Sequence, residues 1–219
     1  MIVVVDNQDS FVHNLAAQFE DLGHDVKVIR NTAPVEAILD GSPDLICLSP
    51  GPGTPQTAGN LMQVVSSALG NIPLLGICLG FQALIEHAGG RVEPVRPVHG
   101  ESHPLILTDE GAADPVFARL GGRREDLAVG RYQSLGARSV PEPMQVLAMA
   151  DDLVMAARWR EKAALGFYFH PESVLTARGT DITRAAVADL LGNTDGRENT
   201  DTPGSTGGID RNSPFAESK

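Results

Sequence analysis

The chain has 219 residues, of which 42% are hydrophobic, a length that supports one sizeable core and argues against two independent catalytic domains. Its formal net charge is -11 and its Lys and Arg residues form no basic run, which argues against nucleic acid as a partner. We find neither a signal-peptide pattern nor the ~18 consecutive apolar residues of a membrane span, so we expect no membrane association. The two cysteines, Cys47 and Cys78, lie in apolar stretches, which favours a reducing, cytoplasmic setting.

The N-terminal part of the chain alternates short apolar runs with helical patterns. Four buried strands, each bounded by polar or Gly/Pro turns, are predicted at 2–5, 25–30, 44–49 and 72–77. The apolar stripe between Phe11 and Leu22 predicts a first helix, with Asp9 or Ser10 as its cap. This alternation predicts an α/β fold with right-handed βαβ units, a doubly wound, mainly parallel sheet and helices on both faces.

The pattern changes beyond Gly90, where shorter apolar pieces are separated by turns. We therefore expect additional antiparallel strands in the C-terminal half, in the segments at 104–108, 127–132, 144–150, 153–159 and 164–170. A last helix is predicted at about 181–191. The composition then becomes strongly polar, which predicts one folded domain at 1–191 and a disordered polar tail at 192–219.

Cys78 lies in the sequence LLGICLGFQ, between a predicted strand and a predicted helix. Gly76 and Gly80 flank it at minus two and plus two, which is typical of a nucleophile elbow, where missing side chains let strand and helix approach and the nucleophile is exposed on strained backbone. Backbone N–H groups at the helix start favour negative charge, so we expect a thiolate. A lone cysteine is more often a small buried hydrophobic residue, and we keep that interpretation for Cys47.

A second motif, FHPES, favours catalysis by Cys78. His170 and Glu172 are separated by Pro171, and in an extended segment residues two apart face the same way. We therefore expect the Glu172 carboxylate to orient the His170 imidazole. A cysteine, a histidine and a carboxylate are the groups that nucleophilic acyl transfer needs.

A third motif, SPGPGTP at 49–55, follows the third predicted strand directly, at the carboxyl end of the sheet where open α/β proteins bind ligands. Its glycine-rich backbone could direct N–H groups to an oxyanion or a phosphate. It lacks the Lys and Ser/Thr of a Walker loop, which disfavours nucleotide binding. In isolation the motif is better explained as a rigid strand-to-helix turn.

Together with VVDNQDSF at 4–11 and GRYQSL at 130–135, these stretches resemble the class I, triad-type glutamine amidotransferases over about residues 1–191. The resemblance implies that Cys78 attacks the carboxamide of L-glutamine, that His170 carries the proton and that Glu172 holds His170. It also implies that the N–H groups of Gly53 and Leu79 stabilise the oxyanion. The remaining residues that it assigns to the glutamine site are Gly51, Pro52, Gln82, Ser134 and Leu135.

Within that family, the motifs are most similar to the subgroup that serves chorismate, in which ammonia passes to a larger chorismate-binding synthase subunit of a hetero-oligomer. The resemblance implies no metal or cofactor in this chain, with Mg²⁺ on the partner. We favour the glutaminase subunit of anthranilate synthase, in tryptophan biosynthesis; the aminodeoxychorismate synthase subunit of folate biosynthesis and a dual-use subunit remain open. A γ-glutamyl hydrolase is less favoured because it would not explain the subgroup motifs, and a catalytically decayed regulatory subunit is less favoured because the triad is intact.

Four positions depart from that subgroup's usual pattern. Phe81 and Gln133 stand where His is usual, Tyr168 stands where Gln is usual, and Glu101 stands where Lys is usual. None belongs to the triad. Phe81 is expected to pack under the helix, whereas the other three border the expected glutamine pocket or partner face.

Overall fold

The computed structural model describes residues 1–120 and 127–192, and the secondary structure of these two ranges is as follows. The strands are β1 (Ile2–Asp6), β2 (Val26–Arg30), β3 (Leu45–Leu48), β4 (Leu74–Ile77), β5 (Glu93–Pro94), β6 (Glu101–Pro104), β7 (Ile106–Leu107), β8 (Ala128–Arg131), β9 (Leu135–Gly136), β10 (Gln145–Ala150), β11 (Leu153–Trp159) and β12 (Ala164–Phe167). The helices are α1 (Val12–Asp21), α2 (Val35–Leu39), α3 (Leu61–Ala68), α4 (Leu79–His87), α5 (Asp109–Ala113), α6 (Pro115–Ala118) and α7 (Gly179–Gly192), with short 3-10 helices at Pro55–Thr57 and Arg160–Lys162.

An eight-stranded sheet forms the centre of the fold, in the order β2-β1-β3-β4-β12-β11-β10-β7. The first five strands are parallel, and β11, β10 and β7 continue the sheet antiparallel. The predicted α/β fold, mainly parallel with antiparallel additions, is therefore confirmed. The last strand departs from the prediction in one respect, because β12 is antiparallel to β11 but parallel to β4, and so it joins the two halves of the sheet.

The helices cover both faces of the sheet in two groups. Helix α4 packs against α3 and contacts β3, β4 and β12, whereas α7 contacts the same strands and packs with α1 and α6. The apolar side chains of β1, β3 and β4 are completely enclosed between these groups, because every residue of the three strands is buried. None of the helices in the described ranges combines the length and the apolar character needed to span a bilayer.

Two local predictions are wrong in detail. Strand β2 is not buried: each of its residues is half-buried or exposed, because β2 is the edge strand and pairs only with β1. Helix α1 begins at Val12, and its N-cap residue is Phe11 rather than Asp9 or Ser10. The Asp9 carboxylate instead accepts a hydrogen bond from the Phe11 N–H at 2.8 Å, in the turn that precedes the helix. The predicted tail at 192–219 lies outside the described residues except for Gly192, which ends α7.

The topology places the ends of four strands at one edge of the sheet. The chain leaves β1 for β2 on one side and later returns to β3 on the other, which makes the gap between β1 and β3 a topological switch point. Ligands of open α/β sheets bind at the carboxyl ends of the strands near such a point. The segments that follow β1, β3, β4 and β12 contain the four motifs at 4–11, 49–55, 74–82 and 169–173.

Candidate active site

Cys78 occupies the sharp turn between β4 and α4, with φ 50° and ψ -102°. A methyl group on Gly76 would lie 2.7 Å from the Gly80 backbone, and one on Gly80 would lie 2.2 Å from the carbonyl oxygen of Leu48. Both glycines are therefore required for the close approach of strand and helix, which confirms the steric interpretation of the elbow. The expectation of an exposed nucleophile is wrong, because Cys78 is only 7% exposed.

His170 and Glu172 form a buried pair. Nδ1 of His170 donates a hydrogen bond to Oε1 of Glu172 at 2.8 Å, and the two side chains are 3% and 0% exposed. The backbone between them is a turn rather than the predicted extended segment, since the N–H of Ser173 donates to the His170 carbonyl at 3.2 Å. The predicted pairing is confirmed, but it arises from a turn that brings the carboxylate to Nδ1 of the ring.

The electrostatics of this pair favour a protonated imidazole. Burial lowers the pKa of His170, but interactions with Cys78 and with Glu172 raise it more, so the pKa lies well above its ordinary value of 6.5. Because Glu172 engages Nδ1, Nε2 is the nitrogen left for the thiol. Nε2 is buried and does not reach ordinary hydrogen-bond geometry with any group of the described residues. Catalytic hydrogen bonds are commonly long until substrate is bound.

The glycine-rich loop after β3 packs directly on the elbow. A methyl group on Gly51 would lie 2.6 Å from both the Asn7 side chain and the Leu79 side chain, so only glycine fits between β1 and α4 here. The Asn7 amide donates to the Ser49 carbonyl at 2.8 Å and fixes the start of the loop. Gly53 has φ +80°, a conformation that favours glycine. Leu79 is the first residue of α4, so its N–H has no acceptor within the helix.

Two of the other predicted glutamine-site residues, Gln82 and Leu135, contact Tyr168. The Tyr168 hydroxyl donates a hydrogen bond to the Leu135 carbonyl and interacts with the side chain of Gln82, and burial, followed by the charge of Cys78, raises the pKa of Tyr168. Gln82 is buried with an unpartnered Oε1. Ser134 is exposed beside Leu135, and its carbonyl accepts from Val95. Pro52 is exposed in the loop after β3.

The other departures have distinct surroundings. The Phe81 ring is fully buried and packs on Gly166, where a methyl group would lie 1.9 Å from the ring, so the expectation that it packs under the helix is confirmed. Gln133 is buried and its Oε1 accepts the Tyr132 N–H at 3.1 Å, while its Nε2 has no partner among the residues that the structure describes. Glu101 is exposed on β6 and lies 3.2 Å from Nε2 of His103.

Sequence reasoning missed several residues that surround His170. Phe11 and Tyr132 place their rings against the imidazole, at centroid distances of 5.4 and 5.0 Å. The Thr176 hydroxyl donates to the His170 carbonyl at 2.6 Å and accepts the Gly130 N–H at 3.0 Å. Phe11 and Tyr132 belong to two of the sequence motifs, VVDNQDSF and GRYQSL, but nothing in those motifs indicates contact with a histidine.

Cys47 is completely buried in β3, as expected for a small hydrophobic residue. Burial, and secondarily the negative charge of Glu172, raises the pKa of its thiol well above the ordinary value, so Cys47 stays protonated. Neither cysteine is in a disulfide. Across residues 1–120 and 127–192, no group of three or more His, Cys, Asp or Glu side chains is arranged to hold a metal ion.

Comparison with known proteins gives a consistent assignment. Residues 3–190 match the family described as glutamine amidotransferase class-I. The chain is 49% identical over 207 residues to anthranilate synthase component 2 of Corynebacterium glutamicum, covering 88% of this chain and 99% of that protein. It is 39% identical to anthranilate synthase component 2 of Vibrio parahaemolyticus, covering 88% and 93%. A pyocyanine-specific anthranilate synthase component 2 of Pseudomonas aeruginosa is 41% identical, covering 85% and 92%.

Solved structures support the same fold. A putative GMP synthase protein from Thermoplasma acidophilum superposes with a TM-score of 0.77 at 24% identity, covering 90% of this chain and 96% of that one. A glutamine amidotransferase from Thermotoga maritima superposes with a TM-score of 0.59 at 18% identity, covering 89% and 84%. At these identities the likeness concerns the fold alone.

Proposed function

Because the chain belongs to the class-I glutamine amidotransferase family, we propose that it is the glutaminase subunit of an anthranilate synthase, which hydrolyses L-glutamine and delivers ammonia to a larger chorismate-binding subunit. The observation that supports this most directly is the placement of Cys78 on a strained elbow beside the buried His170–Glu172 pair. The near full-length similarity to three proteins named anthranilate synthase component 2 supports the choice of pathway, tryptophan biosynthesis.

The first half of the proposed reaction releases ammonia. The Cys78 thiolate attacks the side-chain carboxamide carbon of glutamine and forms a tetrahedral intermediate. The carbon–nitrogen bond then breaks as the departing nitrogen takes the proton from Nε2 of His170, which leaves ammonia, a neutral imidazole and a γ-glutamyl thioester on Cys78. The high pKa of His170 provides the protonated imidazole that this step requires at neutral pH.

The second half hydrolyses the thioester. Water gives a proton to Nε2 of His170 and its oxygen attacks the thioester carbon; the carbon–sulfur bond breaks, and glutamate leaves with the thiolate–imidazolium pair restored. Glu172 keeps Nδ1 protonated throughout and thereby reserves Nε2 for proton transfer.

The oxyanion of each tetrahedral intermediate needs nearby N–H donors. We assign this role to the backbone N–H groups of Leu79, at the start of α4, and of Gly53, in the loop that packs on Leu79 through Gly51. Gly51, Pro52, Gln82, Ser134 and Leu135 complete the proposed glutamine site. These roles come from the family resemblance together with the position of each residue at the carboxyl edge of the sheet.

We also propose a partner, a metal and cofactor requirement, and a location for this chain. The partner is a chorismate-binding synthase subunit in a hetero-oligomer, and the Mg²⁺ that accompanies chorismate belongs to that partner. This chain is proposed to need no metal or cofactor. Its two unpaired cysteines favour a cytoplasmic location.

The test uses the purified chain with and without chorismate-binding partner subunits. Ammonia release from glutamine and the fluorescence of anthranilate are followed in the same sample. We expect partner-stimulated ammonia release together with anthranilate formation. Cys78→Ser should abolish glutamine-dependent amination and leave ammonia-dependent amination by the partner nearly intact.

Each other outcome contradicts a specific part of the proposal. Ammonia release without anthranilate would support the glutaminase activity but contradict anthranilate as the product. Aminodeoxychorismate would then be the next product to test. Equal loss of glutamine-dependent and ammonia-dependent amination in Cys78→Ser would contradict delivery of ammonia between subunits. No ammonia release with any partner would indicate a decayed, regulatory subunit.

A further inference from the structure

Three rings from distant parts of the chain meet in the candidate active site, at the carboxyl edge of the sheet. Phe11 and Tyr132 lie 5.3 Å apart between ring centroids, and each contacts the His170 ring, at 5.4 and 5.0 Å with interplanar angles of 64° and 65°. Phe11 and Tyr132 are only half-buried, whereas His170 is 2% exposed. The two aromatic rings therefore form part of the cover that separates the imidazole from water.

Tyr132 is itself held at both ends. Its hydroxyl lies 2.9 Å from Oγ of Ser173, in the same turn that carries His170, and its backbone N–H donates to Gln133. The ring edge faces Gly100, where φ is +75° and a methyl group would lie 3.2 Å from Tyr132. Tyr132 therefore has a fixed position relative to the turn and cannot swing freely away from His170.

The imidazole needs such a support. Within the described residues its side chain makes one hydrogen bond of ordinary geometry, from Nδ1 to Glu172, whereas Nε2 interacts with the Cys78 thiol without reaching that geometry. One hydrogen bond sets the direction of Nδ1 but leaves the tilt of the ring about that bond undetermined, and this tilt decides where Nε2 points. The contacts of the ring with Phe11 and Tyr132 remove that freedom. The titratable groups around it are Cys78 on the elbow and Glu172 in the turn, whereas the Tyr132 hydroxyl is engaged by Ser173.

We propose that Tyr132, supported by Phe11, is a positioning residue that fixes the His170 ring with Nε2 directed at Cys78 and keeps water from the pair. This inference rests on the proposed glutaminase function and extends it to a residue outside the triad and the glutamine site. The contact acts through His170, so it should affect the rate of proton transfer and leave the binding of glutamine unchanged.

The first experiment compares Tyr132→Leu with Tyr132→Phe in the complex with a chorismate-binding partner. Misplacing a catalytic group by about 1 Å costs up to about 100-fold in rate, so we expect Tyr132→Leu to lower kcat by roughly 10- to 100-fold with KM for glutamine nearly unchanged. Tyr132→Phe keeps the ring and should restore kcat to within a few-fold. Phe11→Leu should give a smaller loss of kcat in the same direction.

Phe117→Leu is the matched control. Phe117 also makes an edge contact with a ring, that of Phe167 at 6.3 Å, but it does not touch the imidazole. It should lower the melting temperature about as much as Tyr132→Leu and leave kcat intact. The proposal is overturned if Tyr132→Leu leaves kcat unchanged, if it raises KM instead, or if Tyr132→Phe is as slow as Tyr132→Leu.

A second measurement separates this inference from the proposed function, because it needs no glutamine turnover. The rate of alkylation of Cys78 by iodoacetamide is followed at neutral pH by mass spectrometry of the Cys78 peptide. A positioned imidazolium stabilises the thiolate, so alkylation should slow about 10-fold in Tyr132→Leu and in His170→Asn, and remain near the wild-type rate in Tyr132→Phe. If alkylation is slow in His170→Asn but unchanged in Tyr132→Leu, the positioning role of Tyr132 is overturned. This result does not depend on whether the chain has glutaminase activity.

Discussion

The nucleophile and its base are held by different forces. At the elbow, Cys78 is positioned by backbone packed against backbone: Gly80 touches the carbonyl of Leu48, and any side chain there would collide. In the turn at 170–173, His170 is held by hydrogen bonds with side chains: the Thr176 hydroxyl donates to its carbonyl, and its Nδ1 donates to the Glu172 carboxylate.

Because of this difference, substitutions at the elbow and in the turn should affect stability and catalysis to different extents. A close-packed backbone contact cannot be relaxed locally, so a change at the elbow should affect the stability of the whole sheet. A hydrogen bond to a turn can be lost while the core stays intact, so a change there should affect proton transfer more than stability. Four substitutions test this contrast, from the largest expected effect to the smallest.

Gly80→Ala should have the largest effect. The added methyl group would lie 2.2 Å from the Leu48 carbonyl oxygen, and that atom belongs to a central strand that cannot move aside. Overpacking of this kind costs about 3 kcal/mol, which corresponds to a fall in melting temperature of roughly 6–12 °C for a domain of this size. Thermal unfolding followed by circular dichroism measures it.

Gly192→Ala is the control for Gly80→Ala, since Gly192 is also a helical glycine but no atom of residues 1–120 or 127–192 lies within 4 Å of the added methyl group. It should be neutral or slightly stabilising, because alanine favours helix over glycine by about 1 kcal/mol. Equal stability of the two variants would show that the elbow tolerates a side chain. It would contradict the claim that close backbone packing positions Cys78.

Glu172→Gln should preserve the fold and lower glutaminase activity. The interaction with Glu172 is one of those that raise the pKa of His170 above its ordinary value, so removing the negative charge lowers that pKa. Ammonia release needs protonated His170 and is lost as the pH rises through this pKa. The alkaline limb of the pH profile of kcat/KM should therefore move to lower pH, with kcat falling about 100-fold.

An unchanged pH profile in Glu172→Gln would remove Glu172 from the triad. The melting temperature provides the second readout, and it should change less than in Gly80→Ala. A loss of stability comparable to that of Gly80→Ala would contradict the view that the turn is held independently of the core.

The same contrast explains what could be predicted from the sequence. Glycines at minus two and plus two of Cys78 are a local signal, and Gly76 meets the backbone of Gly80 within the same motif, so the elbow was predictable. The contact of Gly80 with Leu48 on β3 depends on the tertiary structure and was not predictable. The prediction of an extended segment at His170 failed because the turn depends on contacts that the local sequence does not show. Thr176 donates to the His170 carbonyl and accepts a hydrogen bond from Gly130, which lies forty residues before His170. That Phe11 and Tyr132 meet at His170 depends on the order of strands in the sheet, which periodicity does not determine. The exposure of β2 likewise follows from its position at the edge.

Thr176→Val should have an intermediate effect. Valine has the shape of threonine but leaves the Gly130 N–H unpaired and leaves the His170 carbonyl with the Ser173 N–H alone, which costs about 1–3 kcal/mol. The turn should shift enough to lower kcat by about 10-fold with KM unchanged. Thr108→Val is matched to it, because the Thr108 hydroxyl accepts the Gly111 N–H and donates to the Val146 carbonyl far from the site. This control should lose similar stability and keep full kcat; an equal loss of kcat would make the effect a general consequence of destabilisation.

Gln133→Ala should have the smallest effect, since Gln133 contributes one hydrogen bond to the backbone of Tyr132 and is two steps removed from the base. Loss of that acceptor costs about 1 kcal/mol, so kcat should fall by no more than about fivefold. Gln133→His introduces the residue that the chorismate-serving subgroup usually has, and its ring nitrogen can accept the same N–H, so kcat should stay at the wild-type value. Steady-state kinetics with glutamine distinguish the two roles that Gln133 could have. A more than tenfold rise in KM in either variant would place Gln133 in the glutamine site itself. Tyr132 would then support His170 without a contribution from Gln133.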